Sequence, residues 1–225
     1  MSTQLLKNLR PADEYDHFAT VTLEPWDLLF VARIRQLARE LPPGKIVDIG
    51  TATAVVPVRL AQDRVMDGWH IIGLDLDPAM LDQAVPRIRE LGLESRIELT
   101  VGDGQAMPFE PDTLTMVVSR ATLHHMPDKA ASLRELYRVL APGGVGLIHD
   151  MRRDAKSAML DRFTQMRADA NYPPTHLEEK LTLAEAEALV EQAGLSAVTV
   201  VKGSSGGLAA LGFEILIRKP EAGHV

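Results

Sequence analysis

Apolar positions along the chain repeat with two periods. Leu28, Leu29, Ala32, Ile34, Leu37 and Leu41 share a broad helical face, which predicts a helix over 24–41 with Pro25 in its first turn and Pro42-Pro43-Gly44 as its stop. The run from Ile46 to Ile49 fits a buried strand, ends at Gly50, and gives way to helical spacing from Val55 to Leu60, so a helix of about 53–63 follows. Ile71 to Leu74 is a second buried strand, closed by Asp75. Asp77-Pro78 supplies an N-cap and a first-turn proline to a helix with an apolar face of Met80, Leu81, Ala84, Ile88 and Leu91. Ile97-Leu99-Val101, Leu114 to Val118 and Val145 to Ile148 are further strands, and Leu133, Leu136, Tyr137 and Leu140 mark a helix stopped by Ala141-Pro142-Gly143-Gly144. Thr182 with Glu185 forms a capping box for a helix to Ala193. Val198 to Val200 and Phe213-Ile215-Ile217 close the chain, with a link too short for a crossover helix, so this last pair is expected to be antiparallel.

Strands alternating with helices imply crossover units and a mostly parallel sheet, an α/β class. Such sheets bind ligands beyond the carboxyl ends of their strands. The residues to weigh are therefore those that follow each strand: Gly50, Asp75, Asp103, Ser119-Arg120 and His149-Asp150.

Two segments lack this rhythm. Residues 1–22 are mixed and polar, with Tyr15, His17 and Phe18 close together, and read as an arm packed on the domain or a flap over the cleft. Residues 151–181, rich in arginine and methionine, read as a helix and then an irregular stretch, either a charged cover for the sheet edge or a lid shaping an acceptor pocket. The expected organisation is one domain over 1–225: an arm and helix (1–44), a cofactor-binding core (45–150), a lid insertion (151–181), and a closing helix and strands (182–218).

Composition narrows the function. A chain of 225 residues that is 46% apolar can bury a sizeable core. Its net charge of −7 argues against a nucleic-acid surface. There is no cysteine, hence no disulfide framework, thiolate metal site or cysteine nucleophile. No apolar stretch reaches membrane-spanning length, Met1-Ser2-Thr3-Gln4 lacks signal-peptide organisation, and a cytoplasmic location is the default expectation. Ser119-Arg120 offers no oxygen-rich cluster, so no metal is expected. The pattern is silent on oligomeric state.

The strand-end residues have chemistry in common. At the turn after Gly50 the backbone can approach a ligand closely, with free N–H groups at the helix start. The Asp75 carboxylate can accept both hydroxyls of a ribose. Asp103 can accept a hydrogen bond from an adenine amino group, and Gly104 leaves its N–H open to the ring. Asp48 can meet a positively charged amino group, directly or through water.

Five motifs in order carry a resemblance. Val47-Asp48-Ile49-Gly50, Gly73 to Leu81, Gly102 to Phe109, Leu123-His124-His125-Met126-Pro127-Asp128 and Arg138 to Gly144 resemble those of class I S-adenosylmethionine-dependent methyltransferases, nearest the small-molecule branch with ubiquinone- and menaquinone-type enzymes. The resemblance implies a Rossmann-like three-layer sandwich whose seven-stranded, mostly parallel sheet has its last strand antiparallel, S-adenosyl-L-methionine as cofactor, and a small-molecule acceptor. It implies that Gly50, Thr51 and Ala52 lie along the methionine part of the cofactor. Asp75 would hold the ribose, with Leu76 against the adenine. Asp103 and Gly104 would hold the adenine edge, and Ser119 would sit under the cofactor. The family usually has glycines where Ala52 and Ala54 stand. A turn that does not need positive φ accommodates alanine, and cofactor affinity is what the two methyl groups bear on.

Methyl transfer is an in-line displacement, in which a protein aligns a nucleophile, excludes water and, for a hydroxyl or protonated amine, supplies a base. The candidates are His124, His125, His149 and Tyr15. His149 and Asp150 alternate along a strand, so only one of them faces the cleft. Arg120, Arg152 and Arg153 are placed to hold an acidic acceptor or to pair with local aspartates. The alternative to an enzyme is a non-catalytic protein of this fold that binds a nucleoside-type ligand or a protein partner through the altered turn.

Overall fold

The computed structural model describes residues 11–223. The elements in order are α1 (Ala12–Val21), α2 (Glu24–Ala38), β1 (Lys45–Ile49), α3 (Val55–Ala61), β2 (His70–Asp75), α4 (Pro78–Glu90), β3 (Ile97–Val101), β4 (Leu114–Arg120), α5 (Lys129–Val139), β5 (Leu140–Met151), α6 (Ser157–Asp169), α7 (Leu183–Gln192), β6 (Thr199–Gly203) and β7 (Gly212–Arg218). The seven strands form one sheet in the order β3-β2-β1-β4-β5-β7-β6. Pairs from β3 through β5 are parallel, and β7 runs antiparallel to both β5 and β6.

Alternation along the strands sorts side chains to two cores. Ile46, Ile71, Met116, Val118 and Leu147 face α2, α3 and α4. Val47, Ile72, Val117, Ile148 and Ile215 face α5 and α7. The result is three layers, helices–sheet–helices. The same parity carries beyond the apolar stretch: Asp48, Arg120 and His149 continue the α2 face, whereas Ser119 and Asp150 continue the α5 face.

Local signals explain the helix starts. Asp77 accepts from the Ala79 N–H at the head of α4, with Pro78 in the first turn. Thr182 and Glu185 make the reciprocal capping box of α7. The phase of α2 differs from the sequence reading. Its buried residues are Trp26, Asp27, Phe30, Val31, Ile34, Leu37 and Ala38, and Leu28 and Leu29 are exposed. Positions 26, 30, 34 and 37 follow the helical repeat, and the aromatic side chains decide which stripe is covered. Strand β5 also runs on past Ile148 to Met151, which draws His149 and Asp150 into the ladder with β7.

The two unpatterned segments pack on each other. Phe18, Leu23 and Trp26 form a third core with Met151, Phe163, Leu208 and Leu211, flanked by Met159, Leu160, Met166 and Tyr172. Phe18 stacks on Tyr172 with ring centroids 3.7 Å apart, and the Arg167 guanidinium lies 5.1 Å from the Phe18 ring. α1 is also fastened to α4, where Arg87 Nη2 donates to both carboxylate oxygens of Asp16, at 2.6 and 2.5 Å. α1 thus lies over the carboxyl end of β1.

Candidate functional site at the carboxyl end of the sheet

The turn after β1 is built around Gly50. Its φ is +67°, and a Cβ there would collide with Thr122, 2.3 Å from Cγ2. Its N–H and that of Thr51 both donate to the Leu74 carbonyl, at 2.8 and 3.1 Å, which ties the turn to β2. Ala52 and Ala54 are left-handed, with φ of 49° and 56°. The condition under which the turn would accommodate alanine freely, no need for positive φ, is therefore not met at either position. The chain has to reverse from β1 into α3 within a few residues, and it does so through three left-handed positions, of which glycine fills one.

Asp75, at the end of β2, sits against that turn. One oxygen accepts the Ala52 N–H at 2.7 Å and the other accepts the Asp77 N–H at 2.9 Å. Burial raises its carboxyl above the ordinary range, opposed by those hydrogen bonds. Leu76 follows, partly buried. Asp103 accepts the Gln105 N–H at 2.9 Å. Gly104 is buried with no room for a side chain, since a Cβ would lie 2.7 Å from Ile49 Cγ2 and 2.8 Å from Met126 Cε. Ser119, on the α5 face, donates to the Ile49 carbonyl at 3.0 Å and closes the floor between β1 and β4.

On the α2 face, Asp48 accepts from the Thr51 hydroxyl at 2.8 Å. Burial pushes its carboxyl up to about 7, against the pull of Thr51 and Arg120. Arg120, at the end of β4, lies 2.5 Å from the fully buried Asp27 of α2. Tyr15 of α1 closes this space from above. Burial pushes its hydroxyl up to about 12, with Arg120 opposing, so it is protonated at neutral pH. Tyr15, Asp27, Asp48, Thr51, Thr53 and Arg120 line a cavity of about 20 Å³, room for about one water.

The histidines separate. His149 lies on the α2 side, where its Nδ1 accepts from Trp26 Nε1 at 3.0 Å and its ring packs edge-on to Trp26. Burial lowers it to about 4, with Arg120 acting the same way, so it is neutral at pH 7. His124 lies on the α5 side, where Nδ1 is 2.7 Å from Asp150 Oδ1 and its N–H donates to Asp150 Oδ2 at 2.9 Å. Burial works to raise the Asp150 carboxyl, but His124 and the Met151 N–H outweigh it and hold it below the ordinary range. His125 is exposed and lies tilted against His124, with centroids 3.9 Å apart, and His17 is exposed on α1. Arg152 pairs with Asp154, and Arg153 pairs with Glu185.

This geometry agrees with the comparisons. Residues 46–144 match the methyltransferase domain family, a span that holds Asp48, the turn, Asp75, Asp103 and His124. The demethylmenaquinone methyltransferase of Lactobacillus johnsonii is 30% identical over 144 residues, 62% of this chain and 57% of its own length. That of Thermus thermophilus is 34% identical over 118 residues, 52% of each. Over this span the chain is similar to the methyltransferase domain family, and these relatives carry methyltransferase names. Relatives with quinone-type names, the demethylmenaquinone methyltransferases and a ubiquinone/menaquinone biosynthesis C-methyltransferase of Geotalea daltonii, are among the proteins it is similar to. The chain spans about half the length of these curated relatives. A putative S-adenosylmethionine-dependent methyltransferase from Methanococcus maripaludis has the same fold, with a TM-score of 0.72 at 23% identity over 95% of this chain and 94% of that one.

The site fits S-adenosylmethionine in two respects. The buried Thr53 hydroxyl has no hydrogen-bond partner. Acidic side chains stand at the ends of β1 and β2 and just after β3. Sequence reasoning missed Asp27 and Asp150 as partners of Arg120 and His124. The odd–even alternation of β4 and β5 could have flagged the faces, but not which helix residue completes each pair.

Proposed function

We propose that this chain transfers the methyl group of S-adenosylmethionine to a small, apolar, ring-bearing acceptor. The observation that carries the reading is Asp75 at the end of β2, braced against a left-handed turn, where a carboxylate can take both hydroxyls of a ribose. Asp103 and the bare backbone at Gly104 suit the adenine edge, with Leu76 against the ring. Gly50, Thr51 and Ala52 line the methionine part. Asp48 suits the ammonium group, and Ser119 supports the floor.

When bound, the cofactor supplies an electrophilic methyl group on a sulfonium sulfur. The chain's part is to align the acceptor, exclude water and take up a proton. An apolar ring as acceptor is in keeping with the names of the quinone-type relatives. His124 is the proposed base. Asp150 engages Nδ1, which leaves Nε2 to accept a proton from an acceptor hydroxyl as its oxygen–carbon bond forms. Tyr15, protonated at neutral pH, suits a hydrogen-bond donor better than a base.

Calorimetric titration with S-adenosylmethionine and S-adenosylhomocysteine, followed by labelled-methyl transfer to a panel of quinols and phenols, tests the proposal. Binding near micromolar, about −8 kcal/mol, that Asp75→Ala abolishes is the expected result. His124→Asn should lower kcat by about 10²-fold or more with cofactor affinity unchanged. The second reading is a non-catalytic binding protein, favoured by the left-handed Ala52 and Ala54. Binding of the nucleoside without transfer to any acceptor would select it.

A further inference from the structure

Lys180 is a buried cation with no part in the chemistry above. The residue is only 6% exposed, and among the described residues its ammonium makes no hydrogen bond or ion pair. Lysine is almost never buried unless it is paired, so the position calls for an anionic partner from outside the chain.

The backbone fixes where this ammonium stands. Arg152 bridges to Leu181, the Arg153 N–H donates to the Leu181 carbonyl at 3.1 Å, and Arg153 Nη1 donates to the Lys180 carbonyl. These contacts tie 180–181 to the end of β5. On the other side, Glu179 Oε2 lies 4.0 Å from His125 Nδ1, in the link that follows β4. Residues 179–181 therefore cross from the end of β5 to the link after β4, beside the His124–Asp150 pair. Lys180 is extended, with φ −84° and ψ 150°, so its side chain points away from that of Leu181, which packs on the α5–α7 core.

The surrounding charges say which anion. Burial lowers the Lys180 pKa, Asp150 of β5 with Glu179 and Glu178 opposes this, and Arg167 of α6 adds to it. Asp150 is already engaged, by His124 Nδ1 and the Met151 N–H at 2.7 Å each and by the His124 N–H at 2.9 Å. A cationic amine entering here meets Lys180 and Arg167. A hydroxyl that gives its proton to His124 leaves an oxygen whose negative charge both of them favour.

We propose that Lys180 is a catalytic residue of the acceptor site, its ammonium donating a hydrogen bond to the hydroxyl oxygen of a phenol- or enol-type acceptor and stabilising the oxyanion as His124 takes the proton. The proposal rests on the function proposed above and narrows it to acceptors with an acidic hydroxyl, against amines. The hydroxyl proton passes to His124 Nε2, and an oxygen lone pair forms the bond to the methyl carbon. The electron pair of the breaking carbon–sulfur bond stays on sulfur, which leaves a neutral thioether, and the new imidazolium stands beside Asp150.

4-Nitrophenol tests this, because its absorbance reports its own ionisation. It is titrated across pH with the chain saturated with S-adenosylhomocysteine, so that no methyl group is present. Bound to the wild type, it should ionise at lower pH than it does free in water. In Lys180→Met its acid dissociation constant should fall by about 30-fold, as suits a charged hydrogen bond. Lys180→Arg keeps the charge and should keep most of the effect. The Lys180→Met thermal transition should hold or rise, because an unpaired buried charge is removed. Bound nitrophenol that ionises no more readily than in water overturns the proposal whatever the variants do. So does a Lys180→Met chain that loses S-adenosylhomocysteine and nitrophenol together, or fails to fold, since Lys180 would then be structural. A wild-type chain that binds S-adenosylhomocysteine and leaves nitrophenol free overturns the acceptor class while the cofactor reading stands. A chain that does not bind S-adenosylhomocysteine refutes the cofactor reading, and the acceptor site with it.

Discussion

Ala52 and Ala54 look alike in sequence but weigh differently in the fold. Each is a non-glycine residue in the left-handed region, a conformation that costs an L-residue about 1–2 kcal/mol. Ala54 is fully buried, its methyl group part of the α2-side core, whereas Ala52 is only partly buried. Removing a buried methyl costs about 0.8 kcal/mol, which cancels most of the conformational relief at Ala54. Ala52→Gly should therefore stabilise the chain by about 0.5–1 kcal/mol in urea denaturation, and Ala54→Gly should be close to neutral. A destabilised Ala52→Gly would contradict the strain assigned to the turn. Asp48 gives a second residue-level test through its titration. Its carboxyl titrates near 7 when folded, against about 4 in an unfolded chain. Between these values the folded state holds a proton that the unfolded state has released. This contribution to stability is therefore present below pH 4 and lost as pH rises to 7, at about 1.4 kcal/mol per pH unit. His149, lowered to about 4, acts in the opposite sense, because the unfolded imidazole binds the proton between pH 4 and 6.5. The difference between wild type and Asp48→Asn is thus the observable, and the wild type should lose stability relative to the variant across pH 4–7. A parallel pair of curves would count against a buried, proton-holding Asp48.

α1 makes its contacts through few residues. Phe18 is buried, stacked on Tyr172 and covered by Arg167, and Arg87 holds Asp16. Phe18→Ala should cost about 3 kcal/mol, at the low end for a buried aromatic because the gap lies in a peripheral core that can collapse. Arg87→Met should cost under about 1 kcal/mol, as for most partly exposed ion pairs, but should speed hydrogen exchange over 12–21 without changing exchange in β1 or β4. Uniform exchange changes in all three elements would mean that α1 opens only with global unfolding. This scale also shows why sequence reading succeeded in some places and not in others. Ile46–Ile49, Ile71–Leu74 and Leu114–Val118 were legible because a doubly covered parallel strand is apolar throughout. Asp77-Pro78 and Thr182–Glu185 were legible because caps are local. The helical form of 12–21 was not, since its stability comes from Phe18 and Asp16 reaching residues far along the chain. The phase of α2 was misjudged because Leu28 and Leu29 are as apolar as the Trp26 and Phe30 that pack. The strand-end aspartates were visible as a set, but the Arg120–Asp27 pair arises only when α2 packs on the end of β4, and the His124–Asp150 pair only when β4 and β5 lie side by side.

At the scale of the molecule, the cleft is where the sheet, α1 and α2 meet, and α6 packs on those two helices, so ligand binding should be felt beyond the site. The span matched by the methyltransferase family, 46–144, supplies the turn, Asp75 and Asp103, whereas α1, which lines the cavity, and α6, which packs against it, lie outside that span. A ligand seated under α1 adds contacts across that division and binds only the folded state. At a free concentration about 100 times its dissociation constant, S-adenosylhomocysteine should add about 2.7 kcal/mol to stability. For a chain of 225 residues that corresponds to a rise of about 5–10 °C in Tm, at about 2–4 °C per kcal/mol. The rise should shrink in Asp75→Ala, because the carboxylate that takes the ribose hydroxyls is gone. It should also bring protection of α1 from hydrogen exchange, because Tyr15 and Ala19 of α1 line the cavity beside the turn. A Tm shift without protection of 12–21 would place the ligand in the adenosine half of the cleft alone, with α1 left open. No shift at millimolar ligand would mean that the left-handed alanines and the Tyr15 plug keep the nucleoside out, and the chain would then be a methyltransferase fold put to a different use.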